Sequence, residues 1–174
     1  MSETDMRPTS LGTIISDVLA LMDLQIDEQC ASIEVGDFED IVADERQLRQ
    51  LFQNLISNAI KFCPPEVAPH IEIDSEEREH PDGELQVEIS ITDNGIGFDQ
   101  KYAKNIFQPF QRLHGRNQYK GTGIGLAICR KIVEHHGGTI HAFSAPGDGA
   151  TFVVLLPKRQ DPCPETTHDQ ELPT

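Results

Sequence analysis

Apolar residues near the start of the chain recur every three or four positions, which is the spacing of one helix face. The residues concerned are Ile15, Val18, Leu19, Met22 and Ile26. They predict an amphipathic helix over residues 12–31, followed by a short strand near residues 32–35. Residues 1–10 and 159–174 are polar and contain prolines, so we expect frayed tails at both ends.

A second helix has clear start and stop signals in the sequence. Asp44 can cap its N-terminus and Gln47 stands three residues further on, which is a variant of the capping box. Apolar residues then recur over residues 48–60, and the pair Pro64-Pro65 ends the pattern. The sequence therefore predicts a helix over residues 44–62.

The pattern changes to alternation of apolar and polar residues in the middle of the chain, which is typical of half-buried strands. One strand begins at residues 71–73, and a second covers residues 85–91, with an acidic turn at residues 81–83 between them. These two strands are predicted to form an antiparallel hairpin. Two further strands are predicted over residues 139–144 and 151–156.

Residues 98–122 lack a regular pattern apart from a short amphipathic piece near residues 102–107. A loop of that length inside a compact domain is typical of a functional lid, which we expect to be mobile. A helix over residues 124–136 follows and ends at Gly137-Gly138. The order of elements predicts an α+β fold of two layers, in which about three helices cover one face of a mixed, mainly antiparallel sheet.

Charge is distributed unevenly along the chain. The net charge of −15 would repel a nucleic-acid backbone, so no nucleic-acid partner is expected. Residues 101–131 nevertheless contain no Asp or Glu and hold half of all Lys and Arg in the chain. The basic residues are Lys101, Lys104, Arg112, Arg116, Lys120, Arg130 and Lys131. This basic island indicates a small polyanionic ligand, with chance clustering on a solvated surface as the alternative.

Cysteine usage and hydropathy indicate the compartment. Cys30, Cys63, Cys129 and Cys163 show no paired C-x-x-C spacing, and we expect Cys30 and Cys129 to be buried in helices. No segment reaches the apolar length of a membrane span. We therefore expect a cytoplasmic domain with reduced thiols and no direct membrane contact.

The helix predicted over residues 44–62 carries a polar face that is separate from its apolar stripe. At about 100° per residue, Asn54, Asn58 and Lys61 fall within about 60° of one another. Carboxamide oxygens can ligate Mg²⁺, and a lysine can meet a phosphate as a point charge. The alternative interpretation is a polar stripe that faces solvent.

Two glycine-rich segments have the chemistry of a nucleotide site. Asp93 ends a strand before Gly95 and Gly97, so its carboxylate could accept a hydrogen bond from an exocyclic amine such as that of adenine, although Asp-Asn-Gly is also strong turn chemistry. The segment Gly121-Thr122-Gly123-Ile124-Gly125-Leu126 opens a helix, where backbone N–H groups can face a phosphate. A lone G-x-G-x-G is weak evidence, but a basic lid before it suits a triphosphate.

Taken together, these segments resemble the catalytic and ATP-binding domain of bacterial sensor histidine kinases, and most closely the phytochrome-like type. This superfamily also includes DNA gyrase, the large heat-shock chaperone ATPases and the mismatch-repair protein MutL. The matching segments are Gln53–Phe62, Asp93–Phe98, Phe107–Phe110, Gly121–Leu126 and Gly147–Phe152. The resemblance covers residues 11–157 and implies that residues 11–158 form the catalytic domain.

The resemblance also implies roles for individual residues. Asn58, with Asn54, would hold Mg²⁺; Lys61 would contact phosphate; Arg112 would reach the γ-phosphate. Asn54, Lys61 and Arg112 are thus the predicted catalytic residues. The other predicted nucleotide contacts are Asp93 at the adenine amine, Thr151 in support of the adenine pocket, Gly95, Gly97, Phe107, Lys120, Gly121, Thr122, Gly123, Ile124, Gly125 and Leu126.

A kinase of this family also needs a histidine that receives the phosphoryl group, and the first histidine here is His70, at a predicted strand start. We therefore expect ATP or ADP as ligand and a histidine-containing dimerisation domain as partner, with residues 1–10 as a tail or the stub of a connecting helix. A response regulator receiver domain would be an indirect partner, and the isolated domain is expected to be a monomer.

Two other functions remain open. The first is an ATPase of the same superfamily, whose resembling members carry a glutamate as general base where this chain has Asn54. A carboxamide cannot accept the proton from water, so the sequence disfavours hydrolysis. The second is a nucleotide-regulated binding module without catalysis.

Overall fold

Seven strands and four helices are present in the described part of the chain, residues 4–113 and 121–159, in a computed structural model. The strands are β1 (Arg7–Ser10), β2 (Ser32–Val35), β3 (Asp40–Ala43), β4 (His70–Glu79), β5 (Leu85–Asp93), β6 (Thr139–Ser144) and β7 (Ala150–Pro157). The helices are α1 (Leu11–Leu21), α2 (Asp23–Glu28), α3 (Glu45–Lys61) and α4 (Gly125–His135). Short 3₁₀ turns lie at Gln100–Tyr102 and Asn105–Phe107.

Five strands form the main sheet in the order β2-β4-β5-β7-β6. The β2–β4 pair is parallel and the other three pairs are antiparallel, so the predicted mixed, mainly antiparallel sheet is confirmed. Helix α3 packs on β4 and β5, and α4 packs on β6 and β7. Alternate residues of β5 and β7 are buried under these helices, as the two-residue period of a strand requires. The two-layer α+β fold is therefore confirmed.

The start and the apolar stripe of α3 are as predicted. The Asp44 side chain caps the helix by accepting hydrogen bonds from the N–H groups of Arg46 and Gln47, a contact that contributes about 1 kcal/mol. The stripe packs into the core against the sheet and the other helices. Its fully buried members are Leu48, Leu51, Phe52, Leu55 and Ile56.

The N-terminal region differs from its prediction. The single helix predicted over residues 12–31 is divided at Met22, so four helices are present among the described residues, where three were expected. Cys30 lies beyond α2 in a left-handed conformation with φ of 50°, and its thiol is exposed, so its predicted burial is wrong. Cys129 is buried as expected.

A second, two-stranded sheet was not predicted. Residues 7–10, expected to be part of a frayed tail, form β1 and pair antiparallel with β3. Thr9 is buried there, and its hydroxyl donates to the carbonyl of Ala43. Apolar alternation is absent from β1, and its partner lies more than thirty residues away, so local sequence carries no signal for it.

Parts of three predicted segments lie outside the described residues. They are residues 1–3 of the N-terminal tail, residues 114–120 of the lid and residues 160–174 of the C-terminal tail. Within the described ranges, no helix combines the length and apolar character needed to cross a membrane.

Candidate functional site

A cavity of about 230 Å³ opens between α3, the segment that follows β5, and the start of α4. Ten of the predicted site residues line it. They are Asn58, Lys61, Asp93, Gly97, Arg112, Gly121, Thr122, Gly123, Gly125 and Leu126. These ten residues come from four separate segments of the sequence, which the fold brings to one place.

Asp93 stands at one end of the cavity, where β5 ends. Its Oδ1 accepts hydrogen bonds from the backbone N–H groups of Gly95, at 2.8 Å, and Ala150, at 3.2 Å. The residue is 9% exposed, and burial raises the pKa of its carboxyl group although both hydrogen bonds act in the opposite direction. Because both bonds use the same oxygen, Oδ2 is left to accept a hydrogen bond from a ligand.

The turn after Asp93 depends on glycine at two positions. Gly97 has φ of 64°, and a Cβ there would collide with the carbonyl oxygen of Ala145. A Cβ at Gly95 would lie 2.6 Å from the carbonyl oxygen of Phe62, the residue that follows α3. That carbonyl accepts the N–H of Ile96 at 2.9 Å, so the turn is fastened to the end of α3.

Two cations stand at the other end of the cavity. The Lys61 ammonium lies 4.9 Å from the centre of the Phe62 ring and close to Gly121. Burial lowers the pKa of Lys61, and the Arg112 guanidinium lowers it further. Among the residues that the structure describes, neither cation forms an ion pair with a carboxylate. The arrangement therefore concentrates uncompensated positive charge.

The start of α4 adds to this positive end. Ile124 is the N-cap residue and makes no side-chain capping bond, and the first turn contains no acidic residue. Gly125 and Leu126, the first residues of the helix, line the cavity. Uncapped N–H groups at a helix N-terminus form an anion site together with the helix dipole.

Several predicted site residues do not line the cavity. Asn54 lies one turn before Asn58, and its Nδ2 donates weakly, at 3.5 Å, to the carbonyl of Gly125. Gly95 stands behind Asp93, and Ile124 caps α4 from outside the lining. Lys120 lies outside the described residues.

Thr151 and Phe107 do not line the cavity either. The Thr151 hydroxyl is 3.0 Å from that of Thr92, on the sheet face that the helices leave open. Its neighbours Ala150 and Phe152 line the cavity instead. Phe107 is buried and meets the Phe152 ring edge-to-face, with ring centres 6.2 Å apart.

The apolar walls of the cavity were missed by sequence reasoning. Those walls consist of Phe62, Ile96, Phe98, Ile106, Leu113, Ala150 and Phe152, with Gln111 at the rim. A signal was available, since most of these residues stand directly beside a glycine or a predicted polar contact. Apolar walls with a few convergent polar groups are typical of a site for a flat, partly apolar ligand.

Residues 43–160 match the family model described as histidine kinase-, DNA gyrase B- and HSP90-like ATPase. The chain belongs to this family. A sequence relative is the phytochrome-like protein Cph1 of Synechocystis, which is 44% identical over 149 residues; the match covers 86% of this chain and 19% of Cph1. The chain thus spans about a fifth of that relative's length.

Solved structures of histidine kinases share the fold. The catalytic domain of histidine kinase ThkA superposes with a TM-score of 0.72 at 28% identity, covering 88% of this chain and 96% of that one. Full-length ShkA in complex with AMPPNP gives a TM-score of 0.75 at 26% identity, covering 94% of this chain and 33% of ShkA. The resemblance to sensor histidine kinases stated from the motifs is therefore confirmed.

Proposed function

We propose that the chain binds Mg²⁺–ATP in this cavity and donates the γ-phosphoryl group to a histidine of a separate dimerisation domain, in two-component signal transduction. The observation that supports this most directly is the polarity of the cavity. One end offers a single buried carboxylate acceptor among apolar walls, and the other offers two cations and an uncapped helix N-terminus. Adenine fits the first end and a triphosphate the second.

At the adenine end, the free oxygen of Asp93 would accept a hydrogen bond from the exocyclic amine of adenine. Guanine carries a carbonyl at the corresponding position, so a carboxylate acceptor would face another acceptor there. Phe98, Ile106 and Phe152 provide apolar surface for the purine ring. The site should therefore prefer adenine over guanine nucleotides.

At the phosphate end, Lys61 and Arg112 would stabilise negative charge on the γ-phosphoryl group, and the N–H groups at the start of α4 would bind the neighbouring phosphates. The Asn58 carboxamide on α3 would hold Mg²⁺, with Asn54 one turn behind it. The ion would neutralise charge between the phosphates. ADP would bind through the same adenine and β-phosphate contacts.

Phosphoryl transfer requires positioning and charge stabilisation more than a base from this domain. The residue one turn before Asn58 is Asn54, whose carboxamide contacts Gly125 and cannot accept a proton from water. The acceptor imidazole would come from the dimerisation domain, which would pass the group to a response regulator receiver domain. We propose residues 11–158 as the catalytic unit, with β1 paired at its edge, and the cytoplasm as its compartment.

Radiolabelled ATP tests this function. The chain alone should acquire no stable label and hydrolyse ATP barely above background, and addition of the cognate dimerisation domain should give label on that domain's histidine. Asn58→Ala should abolish transfer through loss of Mg²⁺. Gln53→Ala, which removes an exposed carboxamide from the same helix, should not.

The two alternatives give different results in the same experiment. Rapid hydrolysis by the chain alone would favour an ATPase. ATP binding without label on any dimerisation domain would favour a nucleotide-regulated binding module. Equal affinity for ATP and GTP would contradict the assignment of Asp93.

A further inference from the structure

A group of metal-ligating side chains lies on the open face of the sheet, away from the cavity. Glu34 on β2 and His70 and Glu72 on β4 have ligand atoms that all lie within 4.8 Å of one another. His70 and Glu72 alternate with the fully buried Ile71, so they point to the face that the helices leave uncovered. Glu72 faces away from the cavity, because its register partner Thr92 precedes Asp93 on β5 and neighbouring side chains of a strand point to opposite faces of the sheet.

The strand register brings these side chains together. In the parallel β2–β4 pair, Glu34 stands directly opposite Glu72, and Ser32 stands directly opposite His70. Like charges directly opposite each other destabilise a sheet, and the net charge of −15 adds to this repulsion. A cation between the two carboxylates would remove it.

The imidazole of His70 is oriented toward the carboxylates. Its Nδ1 lies 2.7 Å from the Ser32 hydroxyl, and its Nε2 lies 3.3 Å from Glu72 Oε1 and 3.9 Å from Glu34 Oε1. A hydrogen bond at Nδ1 that fixes the ring and its tautomer is the usual outer contact of a metal-binding histidine. Nε2 is thus the atom presented to a metal.

We infer that Glu34, His70 and Glu72 form a binding site for a first-row divalent transition metal ion such as Zn²⁺. One imidazole nitrogen and two carboxylate oxygens are a ligand set that Zn²⁺ accepts, with water in the fourth position. Bond lengths of about 2.0 to 2.2 Å in a tetrahedron separate neighbouring ligand atoms by about 3.3 to 3.6 Å. The His70–Glu72 separation of 3.3 Å lies in this range, and Glu34 is exposed enough to rotate inward. Imidazole favours Zn²⁺ over the Mg²⁺ of the nucleotide site.

Calorimetric titration of the chelator-treated, tag-free chain with Zn²⁺ tests this site, in a Cys30→Ser, Cys163→Ser background that removes competing thiols. One equivalent should bind. His70→Gln should weaken binding at least tenfold, and Ser32→Ala by about tenfold, the usual effect of losing an outer contact. The control is His80→Gln, since His80 is exposed and faces a single carboxylate, that of Asp82; binding should be unchanged.

Further measurements separate a metal site from a simple ion-pair cluster. Excess Mg²⁺ should not displace Zn²⁺, and the imidazole ¹⁵N resonance of His70 should shift on titration. Equal Zn²⁺ affinity in the wild type and His70→Gln, or an equal loss in His80→Gln, would overturn the site and leave His70 as an ion-pair partner of the two glutamates. Neither result bears on ATP binding, which is measured separately.

Discussion

The two ends of the cavity are built on opposite principles. At the adenine end, Asp93 is held by two backbone N–H groups before any ligand arrives. At the phosphate end, Lys61 and Arg112 face each other without a carboxylate partner among the described residues, and burial and mutual repulsion lower the pKa of Lys61. One end is therefore preorganised by the chain itself, and the other is left electrostatically incomplete until an anion binds.

The largest expected effect, on both stability and ATP affinity, comes from removing the Asp93 carboxylate. Asp93→Ala would leave the N–H groups of Gly95 and Ala150 without their acceptor, and each unsatisfied buried donor costs about 1 to 3 kcal/mol. We expect the free energy of unfolding to fall by about 2 kcal/mol or more on denaturant titration. ATP affinity should fall as well.

Asp93→Asn separates these two roles. The asparagine Oδ1 can still accept both backbone bonds, so the free energy of unfolding should change by less than about 1 kcal/mol. The group that replaces Oδ2 is a donor, so ATP affinity should still fall at least about tenfold. Asp99→Asn, at an exposed turn outside the cavity lining, is the control. Retained ATP affinity in Asp93→Asn would contradict the adenine contact.

The next largest effect is expected at the phosphate end, where a substitution should lower ATP affinity without lowering stability. Lys61→Met keeps the length of the side chain and removes its charge, so we expect ATP affinity to fall about tenfold or more, the weight of a charge-assisted hydrogen bond. Stability without nucleotide should not fall, because a repulsion with Arg112 is relieved. Calorimetry and thermal unfolding measure the two quantities.

Lys101→Met is a matched control for this substitution. The Lys101 ammonium also lies 4.9 Å from the centre of an adjacent aromatic ring, that of Tyr102, but it stands outside the cavity lining and pairs with Asp99. Its loss should leave ATP affinity unchanged. A loss of stability in Lys61→Met alone would show that the phosphate end is not repulsive without a ligand.

Sequence periodicity predicted those elements in which buried apolar residues recur at a regular spacing along the chain. Helix α3, the β4–β5 hairpin and the β6–β7 pair each have a long apolar pattern, and all three were located to within a few residues. β1 and β3 have four residues each and are separated along the chain by α1, α2 and β2, so their stability comes from non-local contacts that no local pattern records.

The residues of the site also divide into those whose position the local sequence predicts and those whose position depends on tertiary packing. Asn54 shares an angular sector with Asn58, as the helical period predicts, but it lies one turn further back and meets the start of α4. The packing of α4 on α3 determines this contact of Asn54, and the sequence of α3 alone does not predict it. Thr151 is different, because the alternation of buried residues in β7 already places it on the face opposite Ala150 and Phe152.

A smaller effect is expected from the titration of Lys61. Because its pKa is lowered in the free protein, and phosphate would favour the charged ammonium, ATP binding should raise that pKa and take up protons in the alkaline range below lysine's ordinary 10.5. ATP affinity should fall as pH rises through this range. Calorimetry in buffers of different ionisation enthalpy measures the uptake, and Lys61→Met should abolish it.

The smallest effect concerns a hydrogen bond that joins the end of α4 to the start of α3, two helices that both contribute residues to the cavity. His136 follows α4 and is buried; its Nδ1 lies 2.7 Å from the carbonyl oxygen of Ile132, and its Nε2 accepts the N–H of Asp44 at the start of α3. Burial lowers the pKa of His136, so the unfolded chain binds a proton more readily than the folded one. Stability from the neutral ring is therefore complete above an imidazole's ordinary 6.5 and is lost as pH falls toward the lowered value.

His136→Gln should remove this acid dependence, which denaturant titrations at a series of pH values would show as a flatter profile than that of the wild type. His135→Gln, at the neighbouring exposed position, is the control. Because His136 joins α3 to α4, its protonation should weaken adenine and phosphate contacts together. If acid instead reduced only the preference for adenine over guanine, His136 would belong to the adenine end alone, and the two ends would not share this support.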